Sequence, residues 1–113
     1  REVEWQAAGR VVINDAVELE AEVPAGTEFF RFHTGATSPV TIEQAKDGWR
    51  ISWPGVMMQI SSSVPIEVTQ VQWPDAVKAP FMHQAIVIRS ADARTSMDLR
   101  TYLDASRAGV VSQ

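Results

Sequence analysis

The two histidines of the chain are the side chains that could bind a metal or transfer a proton near neutral pH. They are His33 and His83, and no H-x-H or H-E-x-x-H pattern surrounds either of them. No acidic residue stands at metal-motif spacing from them. Histidines far apart in the sequence can still meet in the folded chain, but the pattern predicts neither a metal site nor a cofactor. We expect two surface or hydrogen-bonded histidines.

A nucleophilic serine or a pair of facing carboxylates would indicate a hydrolase. No serine lies in a G-x-S-x-G elbow, and serines between strands are ordinary loop residues. The serine candidates are Ser61, Ser62, Ser63 and Ser96. Carboxylates on facing strands remain an alternative for glycoside hydrolysis. These acidic candidates are Glu18, Glu20, Glu22 and Asp98. The sequence predicts no catalytic residue, and a small hydrolase is the third alternative for function.

Tryptophan side chains can form flat platforms for oligosaccharides. Trp49 and Trp53 are four residues apart, hence on the same face if this segment is a strand. Ile51 lies between them on that face, which favours a core position for both. Trp73 precedes a proline and is the better surface candidate. We therefore treat Trp73, Trp49 and Trp53 as candidate contacts to a ligand or partner.

Composition excludes several classes of protein. The 113 residues suit one domain, 1–113, that buries its own core. There is no cysteine, so disulfides and thiolate zinc sites are excluded. The net charge is −4 and the basic residues are scattered, which argues against nucleic acid as a partner. No stretch approaches the roughly 20 apolar residues of a membrane span, and the dispersed glycines form no phosphate-binding loop.

Short alternating segments predict a mainly β fold, with seven to nine antiparallel strands in a sandwich, barrel or curved sheet. The segment His83 to Asp104 predicts a hairpin, with a first strand buried on both faces and an alternating second strand. Asp47-Gly48 and Pro54-Gly55 predict tight turns. A last short strand is expected at Val110-Val111.

Three segments are ambiguous in detail. Arg1 to Ala8 has loosely helical spacing and would be a short helix stub, whereas 10–13 could instead begin a strand. Asn14-Asp15 is typical of a turn. A strand is predicted from Val17 to Val23, with three glutamates on its solvated face. The alternation changes phase between Val68 and Val71, which predicts a β-bulge near Thr69-Gln70.

The segments Ser90 to Leu99, 102–104 and 107–111 resemble the C-terminal sheet of bacterial minor pseudopilins and type IV pilin-like proteins. In that family a strand precedes a D-G-x-S/T-like turn, an alternating strand, a glycine-containing turn and a final strand. The Val17–Phe30 segment is similar to the first part of such heads. Ala93 replaces the usual turn glycine, and the family's N-terminal hydrophobic helix is absent, with Arg1 to Ala8 as its expected remnant.

The resemblance implies the soluble head of a pilus or secretion-system subunit. The function expected from it is a non-enzymatic assembly or interaction module outside the cytoplasm, in the periplasm or at the cell surface. Its partners would be other proteins or further copies of itself, and a membrane would be reached only through an N-terminal anchor upstream of Arg1. The alternative is a carbohydrate-binding β-sandwich that presents its tryptophans to an oligosaccharide.

Overall fold

The computed structural model describes residues 1–7, 9–34, 36, 39–74 and 82–105. These residues form strands without any helix, and so contain no helix able to cross a membrane. The strands are β1 (Glu2–Ala7), β2 (Arg10–Val23), β3 (Glu28–His33), β4 (Thr41–Ala45), β5 (Gly48–Trp53), β6 (Val56–Ser62), β7 (Ile66–Pro74), β8 (Met82–Ser90) and β9 (Arg94–Asp104).

The strands form two antiparallel sheets, which confirms the predicted mainly β fold. The large sheet has the order β1-β2-β9-β6-β5-β4, and the small sheet has the order β3-β8-β7. One apolar cluster joins them and includes Ile51, Met97 and Leu99 from the large sheet and Ile86 and Ile88 from the small one. We call the faces that meet there the inner faces of the two sheets. Apolar burial across this layer is the main favourable contribution to folding.

Strands β8 and β9 have the predicted burial but not the predicted pairing. Residues 85–88 of β8 are each 0% exposed, and β8 is central to its sheet. Met97, Leu99 and Thr101 of β9 are buried at every second position, as predicted. The predicted hairpin between them is wrong, because both edges of β8 are taken by β3 and β7 and β9 pairs with β2 and β6. The turn after Ser90 therefore carries the chain from one sheet to the other.

The N-terminal segment is a strand, so the prediction of a helix stub at Arg1 to Ala8 is wrong. Val3 and Trp5 alternate with Glu2 and Glu4, and β1 pairs with β2 in an antiparallel register. The apolar residues with helical spacing belong to two different strands, β1 and β2, which are joined by a turn at Gly9. Gly9 has a φ of 75°. Residues 10–13 form the strand that was the alternative. The family resemblance stays a prediction, but this segment is not the remnant of a helix.

Strand β2 runs without interruption through Asn14-Asp15, where a turn was predicted. Asn14 pairs with Glu2 on one side and Arg100 on the other. Asp15, a poor strand former in isolation, is held by an ion pair with Arg1. Tertiary pairing therefore overrides the local turn preference.

The predicted bulge near Thr69-Gln70 is also wrong, because β7 pairs with β8 in one continuous register from Ile66 to Pro74. The phase change arises because Gln70 occupies an inner position between Val68 and the end of the strand. Its side-chain amide bonds to Val40 instead of filling the core.

The two predicted tight turns are confirmed. Lys46-Asp47 join β4 to β5, with Gly48 opposite Ala45, and Pro54-Gly55 join β5 to β6. Gly55 has a φ of 82°, a conformation that favours glycine. The strand expected at Val110-Val111 lies outside the described residues.

Candidate interaction edge

Strand β1 forms one edge of the large sheet and carries its most exposed apolar side chains. Among the described residues, the large hydrophobic side chains classed as exposed are Val3 at 49%, Trp5 at 76% and Leu19 at 37%. Val3 and Trp5 lie on β1, and Leu19 lies on β2. Val3 and Trp5 are neighbours on one face of β1, whereas Leu19 lies further along β2, past the end of the β1 pairing. Neighbouring exposed apolar side chains on an edge strand are typical of a protein-interaction surface.

The register places Val3 and Trp5 on the inner face of the large sheet. Val3 pairs with Ile13 and Trp5 pairs with Val11. Val11 in turn pairs with Leu103 of β9, which packs against the apolar cluster. The apolar inner face therefore continues past the core as far as the β1 edge.

The core stops short of this edge because the small sheet has three strands and the large sheet has six. The residues that form or contact the apolar cluster come from β5, β6, β9, the small sheet and the adjoining segments, with Ile42 from β4. None of them comes from β1 or β2 within the described chain. The large sheet thus overhangs the small one on the β1 side.

The pairing of β2 also leaves part of its length open. Its partner β1 ends at the Glu2–Asn14 pair, so β2 beyond Asn14 has no described neighbour on that side. The register with β9 runs to Glu18 and resumes only at Val23. Backbone N–H and C=O groups along an unpaired edge are a template for a further strand.

The outer face of the same two strands is acidic. The register places Glu2, Glu4 and Glu18 there, and Glu20 and Glu22 follow in the part of β2 where the register with β9 is interrupted; all five are exposed carboxylates. No ion pair involving any of the five occurs among the described residues. The two nearby arginines already have partners, since Arg1 pairs with Asp15 and Arg10 with Asp104. We call β1 together with residues 15–23 of β2 the β1 edge.

An ion pair closes the N-terminal end of this edge. The Arg1 Nε lies 2.6 Å from the Asp15 Oδ1, and the Arg1 Nη2 lies 3.1 Å from the Oδ2. The Asp15 side chain is only 5% exposed. The hydrogen bond to Asp15 raises the pKa of Arg1, against the opposing effect of burial. The Arg1 guanidinium also lies 5.8 Å from the ring centre of Phe32, which ties this end to the small sheet.

The sequence candidates for ligand contact are placed away from this edge. Trp49 and Trp53 share the inner face with Ile51 and are half-buried against the core, which agrees with the core interpretation. The backbone of Trp73 pairs with His83 in the small sheet, and its side chain lies outside the described part of the structure. Trp5, the most exposed described tryptophan, was not a sequence candidate. The alternation of Glu2 to Gln6 predicts the face of the strand on which Trp5 lies, but it does not predict that no other described strand packs on that face.

The candidate serines and the two histidines lie on different sheets. Ser61, Ser62 and Ser63 line an open groove of about 590 Å³ together with Asp98 and Arg100. An adjoining groove of about 450 Å³ on the same sheet is lined by Arg50, Arg100 and Tyr102 among others. Both histidines belong to the small sheet. The structure therefore does not bring the candidate serines and the histidines together.

The two histidines do meet each other. His33 Nδ1 lies 2.8 Å from His83 Nε2, and the ring centres are 5.0 Å apart at an interplanar angle of 65°. His33 pairs with Ala85, which is two residues from His83, so both side chains project from the outer face of the small sheet. The prediction of hydrogen-bonded histidines is confirmed. No group of three or more His, Asp or Glu side chains suited to a metal occurs among the described residues.

A comparison of the chain with protein-family models, curated proteins and solved structures gives no match.

Proposed function

We propose that this chain is a non-enzymatic assembly module that binds an extended protein segment along the β1 edge. The observation that carries the proposal is the exposure of Val3 and Trp5 on the same face of β1, in the overhanging part of the large sheet, with Leu19 exposed further along β2. An added strand would pair with the open backbone and cover this apolar strip, as in β-strand addition. The chain thus contributes a surface for assembly.

The charges specify the chemistry of that strand. With Glu2 and Glu4 outward and Val3 and Trp5 inward, the best partner alternates basic with apolar residues. A second copy of β1 fits less well, because antiparallel self-pairing centred on Glu4 would place glutamates of the two copies opposite each other. Like charges directly opposite on neighbouring strands are destabilising. The occupant we propose is therefore a basic, apolar strand of another protein.

A peptide tests this proposal directly. The peptide Lys-Val-Lys-Ile-Lys-Val-Lys should bind and shift the tryptophan emission to shorter wavelength, and the shift should be lost in Trp5→Ser. Glu4→Lys should weaken binding roughly fivefold, because it reverses one charge at the contact. The matched control is Glu43→Lys, the same change on the exposed face of β4 at the opposite edge of the sheet, which should leave binding unchanged.

Three results would overturn the proposal. The first is no binding of the lysine peptide. The second is equal binding of a peptide with glutamate in place of lysine. The third is an equal loss of affinity in Glu4→Lys and Glu43→Lys. Sedimentation of the chain alone tests whether a second copy occupies the edge. A dimer that is strengthened by Glu4→Lys would assign the edge to a second copy instead of another protein.

The most concrete version of this module is the head of a pilin-like or pseudopilin subunit outside the cytoplasm. Support comes from the segments Ser90 to Leu99 and 102–104, which carry the family resemblance and which run from the end of β8 through the turn into β9. In that setting the β1 edge would contact a neighbouring subunit of the filament. The test is the coding sequence upstream of Arg1. About twenty apolar residues behind a short basic leader are expected, and a native start at Arg1 would remove this version while leaving the peptide test unaffected.

The carbohydrate-binding alternative keeps part of its predicted surface. Trp49 and Trp53 are half-buried against the core, and Trp49 also lines the groove of about 450 Å³, so only part of these rings is open to a sugar. Titration with a panel of oligosaccharides, followed by tryptophan emission, tests what remains of it. A shift abolished by Trp73→Ala would support sugar binding, and a flat response across the panel would oppose it.

A further inference from the structure

We propose that His33 and His83 form a two-histidine chelating site for a divalent transition metal with tetragonal geometry, Cu²⁺ above all. The site is independent of the β1 edge, because it lies on the outer face of the small sheet. It joins β3 to β8 through the two ring nitrogens that face each other, His33 Nδ1 and His83 Nε2.

The spacing of the two nitrogens carries the proposal. Metal–imidazole bonds are about 2.0–2.1 Å long, so two such ligands at a right angle are about 2.8–3.0 Å apart. In a tetrahedral site the same two ligands would be about 3.3 Å apart. The observed separation is 2.8 Å. This is an ordinary hydrogen-bond length, and it is also the distance between two adjacent ligands in a square-planar or octahedral complex, so the two nitrogens need little translation to bind one ion.

Binding a metal replaces the hydrogen bond between the rings. In that bond one ring donates its N–H to the other. To bind the ion, each neutral imidazole presents its facing nitrogen without a proton and carries the proton on the other nitrogen. The donor ring changes tautomer, and each ring turns by roughly 45° away from the line between the two nitrogens, so that both lone pairs point at one ion. Water supplies the other ligands.

The surroundings permit an ion to enter. His33 is exposed and His83 is half-buried, so water reaches the pair. The nearest cation on this face along β3 is Arg31, which is balanced by Glu28 at 2.6 Å. Imidazole suits copper and nickel, and copper lies at the top of the usual affinity order.

Calorimetry with CuCl₂ on the whole chain tests the site. Each of His33→Gln and His83→Gln should weaken Cu²⁺ binding roughly tenfold or more, because each removes the chelate effect. Glutamine keeps a polar side chain at the position, and circular dichroism verifies the fold. The matched control is Glu67→Gln, which removes an exposed carboxylate from the outer face of β7 and should leave Cu²⁺ affinity unchanged.

Electron paramagnetic resonance of the Cu²⁺ complex provides the second measurement. Two coordinated imidazole nitrogens are expected in the wild-type chain and one in each single variant. The proposal is overturned if the His33→Gln/His83→Gln double variant binds Cu²⁺ as tightly as the wild type. It is also overturned if the wild-type spectrum shows no more than one imidazole nitrogen.

Discussion

The side-chain amide of Gln70 forms two hydrogen bonds with the backbone of Val40, each 2.9 Å long. The Val40 N–H donates to the Gln70 Oε1, and the Gln70 Nε2 donates to the Val40 carbonyl oxygen. Gln70 belongs to β7 of the small sheet, and Val40 directly precedes β4 of the large sheet. This one side chain therefore links the two sheets through the backbone N–H and C=O of Val40.

Replacing Gln70 should be costly for this reason. Gln70→Leu leaves the N–H and the C=O of buried Val40 unpaired, and we expect a loss of about 2–4 kcal/mol in the free energy of unfolding. Urea denaturation measures it. The matched control, Gln72→Leu, changes an exposed glutamine two residues further along the same strand and should stay within about 0.5 kcal/mol. Equal effects in both variants would contradict the assigned role of Gln70.

The Arg1–Asp15 pair predicts that removing Arg1 destabilises the protein more than removing Arg10 does. Arg1→Ala should lower the free energy of unfolding by about 1–3 kcal/mol, because the carboxylate of Asp15 stays buried without its partner. Arg10→Ala is the control, since Arg10 is also half-exposed but lies 3.6 Å from the more accessible Asp104. We expect about 0.5 kcal/mol or less for it.

A second substitution isolates the charge of Asp15. In the Arg1→Ala background, Asp15→Asn removes the buried charge and should recover part of the lost stability. Thermal unfolding of the four-member cycle provides the comparison. No recovery in the double variant would show that Arg1 acts through its packing on Phe32 instead.

Thr101 predicts a stabilising substitution. Its side chain is 0% exposed, and its Oγ1 has no hydrogen-bond partner within the described part of the chain. Thr101→Val keeps the shape and removes the unpaired hydroxyl, so we expect a gain of about 1 kcal/mol in stability. Thr101→Ala also removes the hydroxyl but leaves a cavity and should destabilise. A loss of stability in Thr101→Val would mean that the hydroxyl has a partner in solution.

Two glycines with positive φ should respond differently to replacement by alanine, as measured by the free energy of unfolding. Gly48 has a φ of 150°, and a Cβ there would collide with the carbonyl oxygen of Ile60 on the neighbouring strand. Gly26 has a φ of 86°, with open space around the position of a Cβ. Gly48→Ala should therefore cost about 2–4 kcal/mol, from strain and the backbone clash together.

The comparison variant, Gly26→Ala, should cost about 1–2 kcal/mol from backbone conformation alone. Chemical denaturation of the two variants gives both values. A smaller cost at Gly48 than at Gly26 would contradict the close packing of β5 on β6.

The sequence predicted those parts of the fold that depend on local patterns. Alternation placed Met97 and Leu99 on one face of β9, and Asp47-Gly48 marked a hairpin, because periodicity and turn chemistry act between neighbours in the chain. The connection after Ser90 was missed for the opposite reason. A short polar turn reads the same whether the next strand pairs with the last one or crosses to another sheet, and only the occupied edges of β8 decide it.

The candidate sites show the same limit. The sequence named both histidines, but their contact depends on the antiparallel register of β3 and β8, which no local pattern contains. Trp5 was passed over because alternation predicts the face of a side chain and not what covers that face. Its exposure follows from the difference in strand number between the two sheets.

The core excludes β1, and this has a consequence for the dynamics of the protein. Among the described strands β1 is hydrogen-bonded to β2 alone, whereas β8 is buried on both faces between two partners. Stability is therefore graded along the large sheet, and amide hydrogens of β1 should exchange through local opening while those of β8 require global unfolding. The β1 strand can separate and reform while the remainder stays folded.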